Sequence, residues 1–266
     1  MIKNKYIYII LSICLFGAIL ISENSLGRVQ DWQIRKSKHF IIYYKEASSG
    51  YVNNLVSKAE YYYKNIVHSL GYKGFDFWTW ENRCEIYLYP SRKAYLAVSG
   101  ANEWSRAHVK VKEKQINTYI GQDAFFDIIL PHELGHIIFR EFVGFDKKLP
   151  LCLDEGLACF QEVDNFRRKK IATEIVKRSL YLSLDKIFKV GRPDFQTTKP
   201  VIFYSQCFSV IDFLLKRYGR SNFTAFCRKV RDGENWKDAL LDIYPIKDLT
   251  DLENKWINFL GVEDGS

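Results

Sequence analysis

Hydrophobic and polar positions change rhythm along this chain. Up to residue 120, alternating runs and helical stripes interleave; further on, helical spacing dominates. Trp32 to Tyr44 is rich in Ile, Tyr and Phe and predicts a strand. From Tyr51 to Leu70, apolar side chains at 52, 55, 56, 59, 62, 66, 67 and 70 form one helical face, and Gly71 and Gly74 punctuate its end. Cys84 to Tyr89 alternates as a strand stopped by Pro90, after which Ser91 caps a short helix reaching Val98. His108 to Val111 and Gln115 to Ile120 predict two more strands, joined as a hairpin through Lys112-Glu113-Lys114. After Asp154 the chain is helical. Tyr204 to Tyr218 carries an apolar face at Cys207, Phe208, Ile211, Leu214 and Leu215, with Gly219 as its stop and Ser221 as the next cap. Thr250-Asp251-Leu252-Glu253 matches a capping box opening a last helix whose buried stripe is Leu252, Trp256, Phe259 and Leu260. The expected fold class is α+β: an N-terminal mixed sheet with helices, a mainly helical C-terminal half, and a cleft between them.

Inside the apolar stretch from Ala124 to Phe142 stands His132-Glu133-Leu134-Gly135-His136, preceded by Pro131. On a helix, positions i and i+4 share a face one turn apart, so both imidazoles can reach one zinc ion, with Glu133 beside it as a proton acceptor. An apolar helix buries such polar groups only at a cost, and a metal gives them a partner. Pro131 removes a backbone donor and predicts a kink or a new helix start. A zinc site needs a third protein ligand and an open position for water. Phe139 and Phe142 stand where the extended metzincin pattern requires Gly and His, which excludes that class. Glu155, separated from His136 by eighteen residues and lying in Leu153-Asp154-Glu155-Gly156-Leu157-Ala158, is the candidate third ligand.

This combination resembles the gluzincin metallopeptidases, the group that includes thermolysin and the aminopeptidase-N type enzymes. More closely, it resembles the peptidase MA-like family, on Pro131 to His136 and Leu149-Pro150-Leu151-Cys152-Leu153-Asp154-Glu155-Gly156-Leu157-Ala158. Cys152 stands where that family often has an aromatic residue. Weaker similarity extends over Trp32 to Tyr44, Phe203 to Gly219 and Thr250 to Leu260. The resemblance implies a zincin-like fold and a Zn2+ cofactor held by His132, His136 and Glu155. It also implies a peptide or protein substrate, hydrolysed by zinc-activated water with Glu133 as general base. Gluzincins commonly stabilise the tetrahedral oxygen with a Tyr or His from the downstream half, and Tyr204 is the candidate here. Asp154 is either a partner orienting an imidazole or a helix-start carboxylate. In such peptidases the strand before the metal helix often lies at the sheet edge, so residues 116 to 120 are expected to pair with substrate backbone. His39, His68 and His108 are expected to be surface side chains.

Composition and charge bear on location and partners. Residues 6–22 carry no charge and follow Lys3 and Lys5, which predicts a signal peptide or N-terminal membrane anchor over 1–27, with an uncleaved anchor favoured and the peptidase domain over 28–266 placed outside the cytoplasm. Ser25-Leu26-Gly27 offers a small-x-small cleavage site. The formal charge of +8 lacks a clustered basic stripe, so nucleic acid is not an expected partner. One apolar segment is too few for an intramembrane protease. Six Cys without a C-x-x-C pair argue against a structural zinc site, and those in apolar stretches read as small core residues. The competing function is a non-catalytic zinc-stabilised cell-surface binding module, disfavoured because holding a metal does not require Glu133. An element of the G-x-M-E-N type is not evident, which disfavours an aminopeptidase.

Overall fold

Alternation along Cys84–Tyr89 (β3) sends Cys84, Ile86 and Leu88 to a buried face, and this strand anchors the sheet. The computed structural model describes residues 32–262 apart from 73, 75, 77, 100–105, 123 and 192–199. The chain divides into Met1–Asp31 and Trp32–Ser266; the predicted signal or anchor lies outside the described residues. None of the described helices is long and apolar enough to cross a membrane.

The single predicted strand over Trp32 to Tyr44 is two, Gln33–Lys36 (β1) and Phe40–Tyr44 (β2), paired antiparallel. His39, at their turn, is buried rather than at the surface. β2 pairs parallel with β3, which pairs parallel with Gln115–Tyr119 (β5); His108–Lys110 (β4) closes the sheet antiparallel to β5. The order is β1-β2-β3-β5-β4. This overturns the expectation for residues 116–120. The hairpin turns its second strand inward against β3, so β5 is bonded on both sides and β4 takes the edge. One sheet face is closed by Ser49–Ser69 (α1), whose buried stripe Val52, Leu55, Ala59, Tyr62, Tyr63 and Ile66 matches the predicted period. The other face is aromatic and polar, with Tyr43 stacked on Tyr87 at 4.6 Å and Trp32 edge-on to Tyr87 and Tyr89. The short helix α2, Arg92–Ser99, starts where Ser91 Oγ accepts from the Ala94 N–H.

Beyond β5 the chain enters one π-helical turn, Phe125–Ile129, and runs into α3, Leu130–Val143. The apolar run before the motif is therefore not one buried helix; Ile128 is 40% exposed. Pro131 explains the irregularity. Its missing N–H leaves the Asp127 carbonyl without its usual helical donor, and the Val163 N–H takes that place at 2.9 Å. The bond ties the start of α3 to the residue after Glu162.

The helical half follows: α4 (Leu151–Phe160), α5 (Phe166–Lys177), α6 (Leu184–Ile187), α7 (Pro200–Arg231), α8 (Trp236–Ile243) and α9 (Leu249–Val262). The two glycines of the metal motifs serve packing. A Cβ on Gly135 would sit 3.1 Å from Ala158 Cα, and one on Gly156 only 2.3 Å from the Cys207 carbonyl oxygen. They bring α3 and α7 into backbone contact with α4. Gly219 interrupts α7 with φ 83° and ψ 159°, the stop its sequence predicted. The capping box does not start at Thr250. Asp248 caps α9 by accepting from the Asp251 N–H at 2.8 Å, and Glu253 accepts instead from Leu184 N–H at 2.5 Å. The five cysteines beyond residue 31 are free and buried.

Candidate metal centre

α3 carries His132 and His136 on one face, their ring centroids 4.9 Å apart. It lies between α1 on the sheet side and α4 on the helical side, so its polar face meets the N-terminal half of α4. There Glu155 presents one oxygen to both rings: His132 Nε2 is 3.5 Å and His136 Nε2 3.4 Å from Glu155 Oε2. Donors bound at about 2.1 Å to a tetrahedral zinc stand about 3.4 Å apart, so the spacing suits that ion. The His2Glu donor set and the partial exposure of the side chains, 16% for His132 and 10% for Glu155, also suit a zinc site keeping a position for water.

The far nitrogens of both rings are held by carboxylates. His136 Nδ1 lies 3.0 Å from Asp154 Oδ1, and Arg140 donates to Asp154 Oδ2 from Nε at 3.0 Å and Nη2 at 2.8 Å. His132 Nδ1 lies 3.0 Å from Glu162 Oε1, and Arg168 grips that carboxylate through two bonds of 2.7 Å. An ionised carboxylate only accepts, so each Nδ1 carries a hydrogen, and Nε2 is the nitrogen that each ring turns toward Glu155 and could offer to a metal. Asp154 thus contacts an imidazole, resolving the two readings of its sequence position. Glu162, Arg140 and Arg168 were not singled out from the sequence. The signal was there for Arg140, which follows His136 by four residues on the same helix; Glu162 lies past the end of α4.

The charges of this cluster stabilise one another. Burial would raise the Asp154, Glu155 and Glu162 carboxyls, yet all three lie below their ordinary range, because His136 and Arg140 face Asp154, both imidazoles face Glu155, and His132 and Arg168 face Glu162. Burial would lower the imidazoles, yet Asp154 and Glu155 push His136 up to about 9, and Cys159, Glu155 and Glu162 raise His132 well above its usual value. Two arginines balance two carboxylates, and Glu155 offsets the imidazoles, which would give up their Nε2 protons on taking a metal. A second group, His132, Cys159 and Glu162, also brings possible ligand atoms within 4.8 Å of one another. There both Glu162 oxygens are taken by Arg168, and the set reads as scaffold.

Glu133 is half-buried one residue along α3. Tyr204, in the first turns of α7, lies within electrostatic reach of Glu155 and His132, with the Arg168 guanidinium 5.9 Å from its ring centroid. Burial first, then the charge of Glu155, pushes its phenol up to about 12, so it stays a neutral O–H donor near neutral pH. The structure therefore brings the predicted metal set, and Tyr204 near it, into one region.

The family model described as Peptidase MA superfamily matches residues 85–262, about two thirds of the chain. No curated protein matches it.

Proposed function

The chain belongs to the peptidase MA superfamily, and on that premise we propose that it is a zinc-dependent peptidase acting outside the cytoplasm. The observation that carries the reading is the meeting of two imidazole Nε2 atoms on one carboxylate oxygen, each within 3.5 Å of it, with each imidazole braced from behind. Zinc held by His132, His136 and Glu155 supplies a Lewis acid for the scissile carbonyl and makes water more acidic. Glu133 takes the proton from the attacking water and passes it to the leaving amine. Tyr204 donates its O–H to the carbonyl oxygen as negative charge gathers there. Asp154 and Glu162 keep the Nδ1 hydrogens in place, so the imidazoles neither flip nor lose their ligating tautomer. The placement outside the cytoplasm, by an N-terminal anchor or signal, rests on Lys3, Lys5 and the uncharged run over 6–22.

Glu133→Ala is the decisive variant. It should keep about one zinc per chain while cleavage of a broad peptide library falls by about 10²–10⁴-fold. Cleavage at the unaltered rate would remove Glu133 as the base. A wild-type chain that binds zinc and cleaves nothing would point to the binding-module alternative.

A further inference from the structure

A cavity of about 560 Å³ opens where the first segment of α7 ends, between that segment, α9 and the α8–α9 connection. It shares no residue with the candidate metal centre: Arg217, in its lining, lies thirteen residues beyond Tyr204 along α7, about 20 Å at the helical rise. The walls are aromatic. The Phe213 ring centroid stands 5.3 Å from that of Phe259 and 5.5 Å from that of Tyr218, and Pro245 completes the apolar lining. The helical period put Phe259 in the buried stripe of α9, yet it remains part-exposed in this wall. A largely apolar hollow of this volume, carrying a few polar groups, has the character of a ligand site.

The polar groups say which ligand. They are the Arg217 guanidinium, the Lys255 ammonium, the Asn258 amide and the Tyr218 hydroxyl, with no acid in the lining. The side chains of Arg217 and Asn258 and the Tyr218 hydroxyl make no hydrogen bond or ion pair among the described residues. Lys255 Nζ donates to Asp251 Oδ1 at 2.5 Å, and Asp251 Oδ2 accepts from the Lys247 N–H at 2.9 Å. Asp251 lies outside the lining and Lys255 balances it, so Arg217 is the uncompensated charge. Arg217 and Lys255 both lie within electrostatic reach of the Tyr218 phenol, which burial raises, so it stays an O–H donor. A guanidinium fork matches a carboxylate through two parallel bonds. A fatty acid would satisfy Arg217 but set the Asn258 amide against hydrocarbon. A bare phosphate or sulfate would leave the aromatic walls empty. The end of a peptide chain uses the whole lining. Its carboxylate meets Arg217, the N–H and C=O of its last peptide group meet the Asn258 amide, which both donates and accepts, and an apolar last side chain fills the space between Phe213, Tyr218 and Phe259.

We propose that this cavity captures the free C-terminus of a peptide ending in an apolar residue, with Arg217 on the carboxylate and Asn258 on the last peptide group. Only the choice of a peptide as occupant leans on the peptidase reading. Fluorescence anisotropy of the full chain, with zinc chelated so that nothing is cut, is followed with a fluorescein-labelled peptide ending in Leu-Phe, with its C-terminal amide, and with the same peptide ending in Leu-Asp. The expected result is saturable one-to-one binding of the first, about tenfold tighter than either of the others, the worth of one charge-assisted contact. The affinity should be the same for the zinc-loaded Glu133→Ala chain. Arg217→Gln should weaken binding about tenfold and Asn258→Ala less, and both, being changes at exposed side chains, should unfold at the wild-type temperature. Equal binding of the amide, a titration unchanged in the Arg217→Gln/Asn258→Ala double variant, decanoate bound more tightly than the peptide, binding that requires zinc, or no saturable binding at all would overturn the site. Because the chelated chain is the main sample, a failed titration leaves the metal centre untouched, and an inactive metal centre leaves these titrations as they are.

Discussion

The candidate metal centre and the cavity beside His39 use the same local device and differ in what lies in front of it. In both, a carboxylate holds an imidazole by Nδ1: Glu162 and Asp154 at the centre, Glu60 at the cavity. At the centre two such rings converge on the carboxylate of Glu155, so their Nε2 atoms face negative charge. At the cavity a single ring has the Asp76 carboxylate 3.5 Å from its Nε2, with Lys38, Lys64 and Arg220 elsewhere in the lining. Holding a ring from behind is therefore generic, and what sets the centre apart is the convergence of two such rings on one carboxylate oxygen. A second contrast is structural. The centre is assembled by helices in backbone contact at Gly135 and Gly156, whereas the cavity lies at the junction of a strand turn and two helix ends.

The comparison breaks most sharply at Glu155. Glu155→Ala should take bound zinc from about one per chain to near none by metal analysis, because only two protein donors remain; full metal content would end the three-ligand account. Next comes packing. Gly156→Ala places a methyl 2.3 Å from a backbone carbonyl and should cost about 2–3 kcal/mol in denaturant unfolding. Gly261→Ala, with nothing within 4 Å, is the matched control and should be neutral or slightly stabilising. Equal stability of the two variants would show that α7 can move off α4. Glu162→Gln and Asp154→Asn remove the carboxylate behind one imidazole and should weaken zinc binding about 10–100-fold, read by competition with a chromogenic chelator. The smallest effect concerns the cavity beside His39. Burial would raise the Glu60 carboxyl, but Ser37 and His39 bonds bring it below its ordinary 4.5. Its contribution to stability is thus present above that value and fades as pH drops through the lower folded one. Wild type should exceed Glu60→Gln in stability at neutral pH, with the gap closing in acid; a gap that persists at the lowest pH would mean the side chain acts by packing alone.

What was legible in the sequence follows from the range of the interactions involved. His132, His136 and Glu155 could be found because one helix and one short motif fix their positions, and α1, β3 and α2 because period and caps are local signals. The order of β4 and β5 was not legible. A hairpin's spacing says that two strands pair, not which of them turns inward to β3. The break within Trp32 to Tyr44 was hidden because β-branched and aromatic residues run on both sides of Ser37, Lys38 and His39. Glu162 and Arg168 sit after the end of α4, where helical periodicity fades, and their role depends on the chain turning back along α3 through the Val163–Asp127 bond. Glycines 135 and 156 were read as part of a motif; only the packed helices reveal why no side chain fits there.

The two borders of the sheet have a consequence for the protein at high concentration. β1 is four residues long, fully exposed, and ends in Arg35 and Lys36; β4 is three residues long and ends in Lys110. Short cationic margins are poor templates for a strand from another copy, since neighbouring molecules would bring like charges together along the shared ladder. The molecule thus carries its own protection against growing a continuous ribbon, and that protection weakens as added salt shortens the reach of the charges.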